Sequence, residues 1–347
     1  MNLKKQNMET IIVTGGAGYI GSHTIIELLQ QTNFSVISID NFSNSNRDTF
    51  DRIEKITGKV IKNLNVDICN HDALELAMSS VENPIGVIHF AAYKAVGESV
   101  VNPLLYYHNN ISSLVNILKI CKKFNINHFI FSSSCSVYGN VSELPVTETT
   151  PFSIAESPYA HTKQIGEDVV SNFTKSETDF NSVLLRYFNP VGAHQSGFNG
   201  ELSKDKPSNL VPFITQSAVG ILPPLTVFGD DYDTRDGSCI RDYVHVSDIA
   251  DAHVKALNYL INKKNTNKTT VFNLGTGNGV SVLECIYSFE KVSNKKLDYV
   301  IGKRRAGDVV NIYANNELAK KELHWIPKYN LDDMMLSAWN WQLHIGK

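Results

Sequence analysis

The chain has 347 residues, 42% of them hydrophobic and 19% charged, with a formal net charge of −3. These values suit about two globular domains with a sizeable core and leave no basic surface for nucleic acid. Five cysteines, at positions 69, 121, 135, 239 and 285, form no CxxC or ligand spacing, and the histidines show no HExxH pattern. Reduced thiols are therefore expected, with no metal site. The first nine residues are polar, without the apolar centre of a signal peptide, and no apolar run approaches the ~18 residues of a membrane helix. A cytoplasmic protein with no membrane contact is expected.

Strand patterns occur at Thr10–Thr14, Ser35–Asp40, Asn63–Val66, Gly86–Phe90, His128–Ser133 and Ser182–Phe188. Helical patterns lie between them, near Gly21–Gln31, Asp72–Ser80, Pro103–Lys123 and Pro158–Thr174. The alternation predicts an α/β fold, a doubly wound parallel sheet of the Rossmann type. After residue 188, Gly, Pro, Asn and Asp become frequent and the rhythm weakens, as in a smaller, mixed α/β substrate lobe. A helix (Val246–Tyr259) and a strand (Val271–Leu274) regain regular pattern and are expected to rejoin the first sheet. The domains are thus placed at 1–188, rejoined by about 242–275, and at 189–241 with 276–347.

The first strand runs into Gly15, Gly16, Ala17, Gly18, Tyr19, Ile20 and Gly21, then a helix. Gly15, Gly18 and Gly21 fit GxxGxxG. Glycine is required where backbone N–H groups approach a pyrophosphate, and the helix N-terminus adds a favourable dipole. Asp40, 19 residues past Gly21, would accept the adenosine ribose hydroxyls and repel a 2′-phosphate, favouring NAD over NADP. Asp67, after the third strand, either sits near the adenine or is an ordinary loop residue.

Ser134 follows the apolar run Phe129–Phe131, at the carboxyl end of a strand where ligands of open sheets bind. Tyr159 and Lys163 stand four apart behind the helix-start signal Ser157-Pro158, so both project from one helix face. An ammonium about 4 Å from a phenol, at an effective dielectric near 20, favours the phenolate by roughly 4 kcal/mol. That suffices to make a group of pKa about 10 a proton acceptor near neutrality. Ser134 could relay the proton.

At this point the chain resembles the extended short-chain dehydrogenase/reductase family, most closely its UDP-hexose 4-epimerase branch. The matching strings are TGGAGYIGSH (Thr14–His23), IHFAAYKAVGESV (Ile88–Val100), FSSSCSVYG (Phe131–Gly139), SPYAHTK (Ser157–Lys163), LLRYFNPVGAH (Leu184–His194), RDYVHVSDIADAHV (Arg241–Val254) and FNLGTG (Phe272–Gly277). The resemblance implies Tyr159 as base, Lys163 as its electrostatic partner and nicotinamide-ribose ligand, and Ser134 as relay. It implies NAD lined by Tyr19, Ile20, Asp40, Asn41, Phe42, Ser43, Asn44, Ser45, Asp67, Ile68, Phe90, Ala91, Ala92, Lys94, Asn109 and Phe188. It implies a UDP-hexose held by Asn189, Asn209, Leu210, Phe228, Arg241, Arg305 and Asp308, and a homodimer. A guanidinium suits a diphosphate's paired oxygens. The implied reaction interconverts UDP-galactose and UDP-glucose: C4 is oxidised, the 4-keto sugar turns over, and C4 is reduced on its other face.

Relatives carry Tyr or a smaller residue four positions after the Asp of the string Arg304-Arg305-Ala306-Gly307-Asp308; here Ile312 stands there, so a pocket wide enough for a 2-acetamido group is expected. Two other readings compete. A sugar-nucleotide 4,6-dehydratase needs an extra acid and base after the serine, where this chain has Cys135 and Ser136, neither suited to that role near neutral pH. A non-catalytic dinucleotide-sensing module would not retain Ser134, Tyr159 and Lys163.

Overall fold

The computed structural model describes residues 8–202, 207, 209–305 and 309–346. The chain divides into two compact units. The first takes residues up to 133, then 157–185 and 253–271; the second takes 134–156, 186–252 and everything from 272 onward. Among the described residues no helix is long and apolar enough to cross a membrane.

The first unit is built from β1 (Thr10–Thr14), α1 (Tyr19–Gln31), β2 (Ser35–Ile39), α2 (Thr49–Thr57), β3 (Lys62–Leu64), α3 (His71–Met78) and β4 (Pro84–His89). It continues through α4 (Val96–Val101), α5 (Pro103–Lys123), β5 (His128–Ser134), α6 (Pro158–Ser176) and β6 (Asn181–Tyr187). The sheet has seven strands, with β11 (Thr269–Leu274) at one edge, in the order β11-β6-β5-β4-β1-β2-β3. β1 pairs in parallel with β2 and β4, and β5 with β4. The predicted return of a late strand to this sheet is β11.

Every residue of β1 is buried, which is why Ile11, Ile12 and Val13 follow one another without alternation. Ile12, Ile39, Val87 and Phe129 of the sheet pack with Leu114, Ile117 and Ile120 of α5 in one core cluster. β2 ends one residue before the expected Asp40, because that carboxylate turns back to accept the amides of Ala17 (3.0 Å) and Phe42 (2.8 Å). α6 starts as predicted: the Ser157 hydroxyl accepts the Ala160 amide at 3.1 Å, with Pro158 in the first turn.

The second unit carries short strands: β7 (Asn189–Val191), β8 (Leu225–Phe228), β9 (Ile240–Arg241), β10 (Tyr243–His245), β12 (Val280–Ser281), β13 (Tyr299–Gly302) and β14 (Asn311–Ile312). They form three small sheets, β10-β7, β12-β9-β14 and β13-β8. The helices α7 (Leu210–Ala218), α8 (Val246–Ile261), α9 (Val282–Ser293), α10 (Glu317–Glu322) and α11 (Leu331–Ile345) complete the chain. Phe289 and Trp339, from α9 and α11, meet edge to face at 5.4 Å in its core. Asn330 and Asp333 form a capping box at the start of α11, as Ser281 and Glu284 do for α9.

Candidate active site

In the first unit, β1 delivers the glycine loop to the start of α1. Gly15 has φ +70°, and a Cβ there would lie 2.9 Å from the Ala91 amide nitrogen. A Cβ on Gly21 would lie 2.3 Å from the Gly15 carbonyl oxygen. Neither position admits a side chain without displacing backbone, so the loop stays thin and close to the helix axis. Among the described residues, no side chain caps α1 at Gly18, and its first turn holds no acidic residue. A helix N-terminus of this kind is a ready anion site.

Asp40 closes the same end of the sheet. Beyond its two amide donors, it accepts the Ser45 hydroxyl at 2.8 Å, which folds Asn41, Phe42, Ser43 and Asn44 around it. Phe42 takes φ +59° with the Arg47 guanidinium 4.4 Å from its ring. Past β3, Asp67 is exposed and accepts the Cys69 amide at 2.9 Å, while Ile68 is buried. Asn116 of α5 donates to the Ile68 carbonyl at 2.9 Å, and Asn109 lies on the same helix. Past β4, the Phe90 amide donates to the Thr14 carbonyl and the Ala91 amide to the Thr14 hydroxyl at 3.4 Å. Ala92 is half-buried, and the Lys94 ammonium stands 6.0 Å from the Tyr19 ring; Ile20 follows Tyr19 in the first turn of α1. The predicted cofactor residues of this unit thus cluster at the glycine loop and at the exits of β2, β3 and β4, where the Cys69 thiol donates to the Asn109 carbonyl of α5 at 3.6 Å.

At the carboxyl end of β5, Lys163 of α6 is buried and donates to the Ser132 carbonyl at 2.6 Å, with its nitrogen 5.0 Å from the Phe131 ring. Burial pushes its pKa down to about 8, against the opposing charge of Glu167. Tyr159, one turn earlier, is half-buried. His89, at the end of β4, is buried with its Nδ1 2.8 Å from the Thr14 hydroxyl. Burial and the Lys163 charge push His89 down to about 3, so it is neutral near pH 7. Asn110 ties α6 to the β4 exit through Thr162 (3.1 Å) and both backbone groups of Tyr93.

Ser134, the last residue of β5 and the first of the second unit, is buried, and its hydroxyl caps a one-turn helix (Cys135–Tyr138) by accepting the Ser136 amide at 3.2 Å. Burial pushes the neighbouring Cys135 thiol up to about 12. Phe188 is buried, and its amide donates to Leu274. Asn189 opens β7 and donates its amide to the Asp242 carbonyl at 2.9 Å. Arg241 of β9 is the register partner of Ile312 in β14, and its guanidinium donates to the Val309 carbonyl at 2.6 Å. Ile312 is buried. Arg305 stands 5.6 Å from the ring of Phe228 at the end of β8. Asn209, exposed, donates to Glu201 at 2.8 Å and precedes Leu210, the first residue of α7. Asp308 lies outside the described residues.

The sequence reading passed over Asp242. Its buried carboxylate accepts the Thr276 amide and hydroxyl (2.8 and 2.6 Å), the Gly277 amide (3.3 Å) and the Ala314 amide (3.1 Å). It thereby fixes the strands that present Arg241 and Ile312.

Comparison with known proteins gives these features a family. A family model described as GDP-mannose 4,6 dehydratase matches residues 12–337. UDP-glucose 4-epimerase of Dictyostelium discoideum is 46% identical over 334 residues, covering 96% of each chain. The chain belongs to the UDP-glucose 4-epimerase family. Among solved structures, a UDP-glucose 4-epimerase from Stenotrophomonas maltophila, with NAD and formylated UDP-arabinopyranose, superposes with a TM-score of 0.93 at 41% identity, covering 97% of this chain and 99% of that one. The Bifidobacterium longum UDP-glucose 4-epimerase, in complex with NAD+ and UDP, gives 0.91 at 45% identity, covering 96% and 98%. The epimerase family therefore accounts for nearly the whole chain, both units included.

Proposed function

We propose that Tyr159, Lys163 and Ser134 carry the proton chemistry of an NAD-dependent UDP-hexose 4-epimerase that interconverts UDP-galactose and UDP-glucose. The observation that carries this reading is the Lys163 ammonium, buried at the Ser132 carbonyl with Tyr159 one turn away on the same helix. The first unit fits NAD: two glycines where a Cβ would strike backbone, an α1 N-terminus without a side-chain cap, and a carboxylate at the end of β2. The second unit would hold the UDP-sugar.

Bound NAD supplies the hydride acceptor for C4 and, once reduced, the donor. Tyr159 takes the proton from the sugar O4, either directly or through the Ser134 hydroxyl. Lys163 stabilises the phenolate that makes this possible. Arg241 and Arg305 anchor the diphosphate, with Asn189, Asn209, Leu210 and Phe228 around the UDP-sugar. A firm grip on UDP and a loose grip on the hexose let the keto sugar turn over and accept hydride on its other face. A 4,6-dehydratase is disfavoured because a thiol at about 12 beside Ser134 is no acid–base partner near neutrality.

Ile312, smaller than tyrosine, leaves space beside the sugar, so UDP-N-acetylhexosamines should also turn over. NMR of the products from UDP-galactose and from UDP-N-acetylgalactosamine tests both points. Conversion of each to its gluco epimer is expected; failure of the first refutes the activity, and failure of only the second refutes the wider pocket.

A cytoplasmic location and a homodimer complete the proposal. Five free cysteines fit a reducing compartment. Val96, Val100 and Val101 of α4 and Leu104 at the start of α5 are exposed apolar residues, Leu104 at 80% exposure. Such residues suit a second copy of the chain. Light scattering should give twice the mass of one chain, and a monomer at micromolar concentration would refute the dimer.

A further inference from the structure

The proton chemistry proposed above leaves one buried charge on α6 without a role. Glu167 follows Lys163 by four residues, so the two side chains share a helix face. It is buried, and its Oε1 accepts the Ser133 hydroxyl at 2.5 Å. Adjacent residues of β5 therefore serve the two ends of this face: the Ser132 carbonyl takes the ammonium, and the Ser133 hydroxyl takes the carboxylate. A buried carboxylate is costly unless a nearby positive charge and good hydrogen bonds compensate it.

We propose that Glu167 is a positioning residue for the reaction: its carboxylate, clamped by Ser133, holds the Lys163 side chain in the ammonium form that Tyr159 requires. This rests on the assignment of Tyr159 and Lys163 as the acid–base pair. Burial alone drives Lys163 towards neutrality, and the Glu167 charge opposes that drift. The other groups around the lysine offer less. His89 of β4 is neutral near pH 7. Phe131 and Ser132 of β5 give a ring face and a carbonyl. From α4 and α5, Glu98 accepts the Tyr106 hydroxyl at 2.6 Å, and His161 of α6 is engaged with Tyr107 at 2.8 Å. Glu167 is the carboxylate on the lysine's own helix face.

Glu167→Gln keeps an oxygen for Ser133 and removes the charge. In the variant the alkaline limb of the kcat/KM–pH profile should move down by about one pH unit. At pH 8 kcat should fall about fivefold, approaching tenfold at higher pH, while KM for UDP-glucose and bound NAD stay as in the parent. A merely structural role would lower the melting temperature and leave the limb in place; an alkaline limb coincident with the parent's overturns the proposal. Lys163→Met, measured alongside, separates two failures. Near-parental activity there refutes the acid–base pair itself, whereas an inactive Lys163→Met with an unmoved Glu167→Gln profile refutes only the role of Glu167. Should Glu167→Gln not fold, the double variant Ser133→Ala/Glu167→Met carries the same comparison, because it removes the Ser133–Glu167 hydrogen bond from both sides together with the charge.

Discussion

Tyr159→Phe should lower kcat by about 10²- to 10⁴-fold, the usual range for losing a positioned acid–base group. The ring that packs at the first turn of α6 is retained, so the Ser157 cap and the Pro158 start of the helix are untouched. Only the ionisable oxygen is lost. Purified variant should therefore carry as much NAD as the parent and melt within a few degrees of it. An activity close to the parent's would show that another group removes the O4 proton.

Replacing Lys163 is the second large effect. An ammonium about 4 Å from a phenolate is worth roughly 4 kcal/mol at an effective dielectric near 20, so Lys163→Ala should cost on the order of 10³-fold in rate. It also vacates the Ser132 carbonyl, and NAD content should drop. The pH behaviour carries a sign that a generic defect would not reproduce. The folded lysine releases its proton near pH 8, whereas an unfolded lysine holds it to about 10.4. Turnover should then decline as pH rises through about 8, as the ammonium is lost. Stability moves the other way. Between those two values the unfolded chain binds the extra proton, so this group's contribution to stability rises with pH. The melting temperature of the variant relative to the parent should accordingly fall as pH is raised from about 8 to 10. A constant difference would mean that the lysine is not buried as a cation.

The first unit was largely legible because its strands are buried runs bounded by loops and its helices carry start signals. Pro103–Lys123 was placed to the residue, and Ser157-Pro158 opened α6 as expected. The second unit was not legible, for physical reasons. Strands of two residues, Ile240–Arg241, Val280–Ser281 and Asn311–Ile312, are too short to show a period of two. The pairing of Arg241 with Ile312 is a long-range fact that no local window contains. α9 and α11 could have been found from their capping boxes at Ser281/Glu284 and Asn330/Asp333. Glu167 and His89 escaped notice because a polar residue in a helix or strand has an ordinary solvated reading until burial is known. The structure buries both beside Lys163 and Thr14.

The most direct measurement follows the hydrogen on C4. UDP-glucose carrying deuterium at C4, turned over in ordinary water by the holoenzyme, should give UDP-galactose with the deuterium still on C4 and no net formation of NADH. Loss of the label to solvent, or NADH accumulating in step with product, would contradict epimerisation by transient oxidation against a resident nicotinamide.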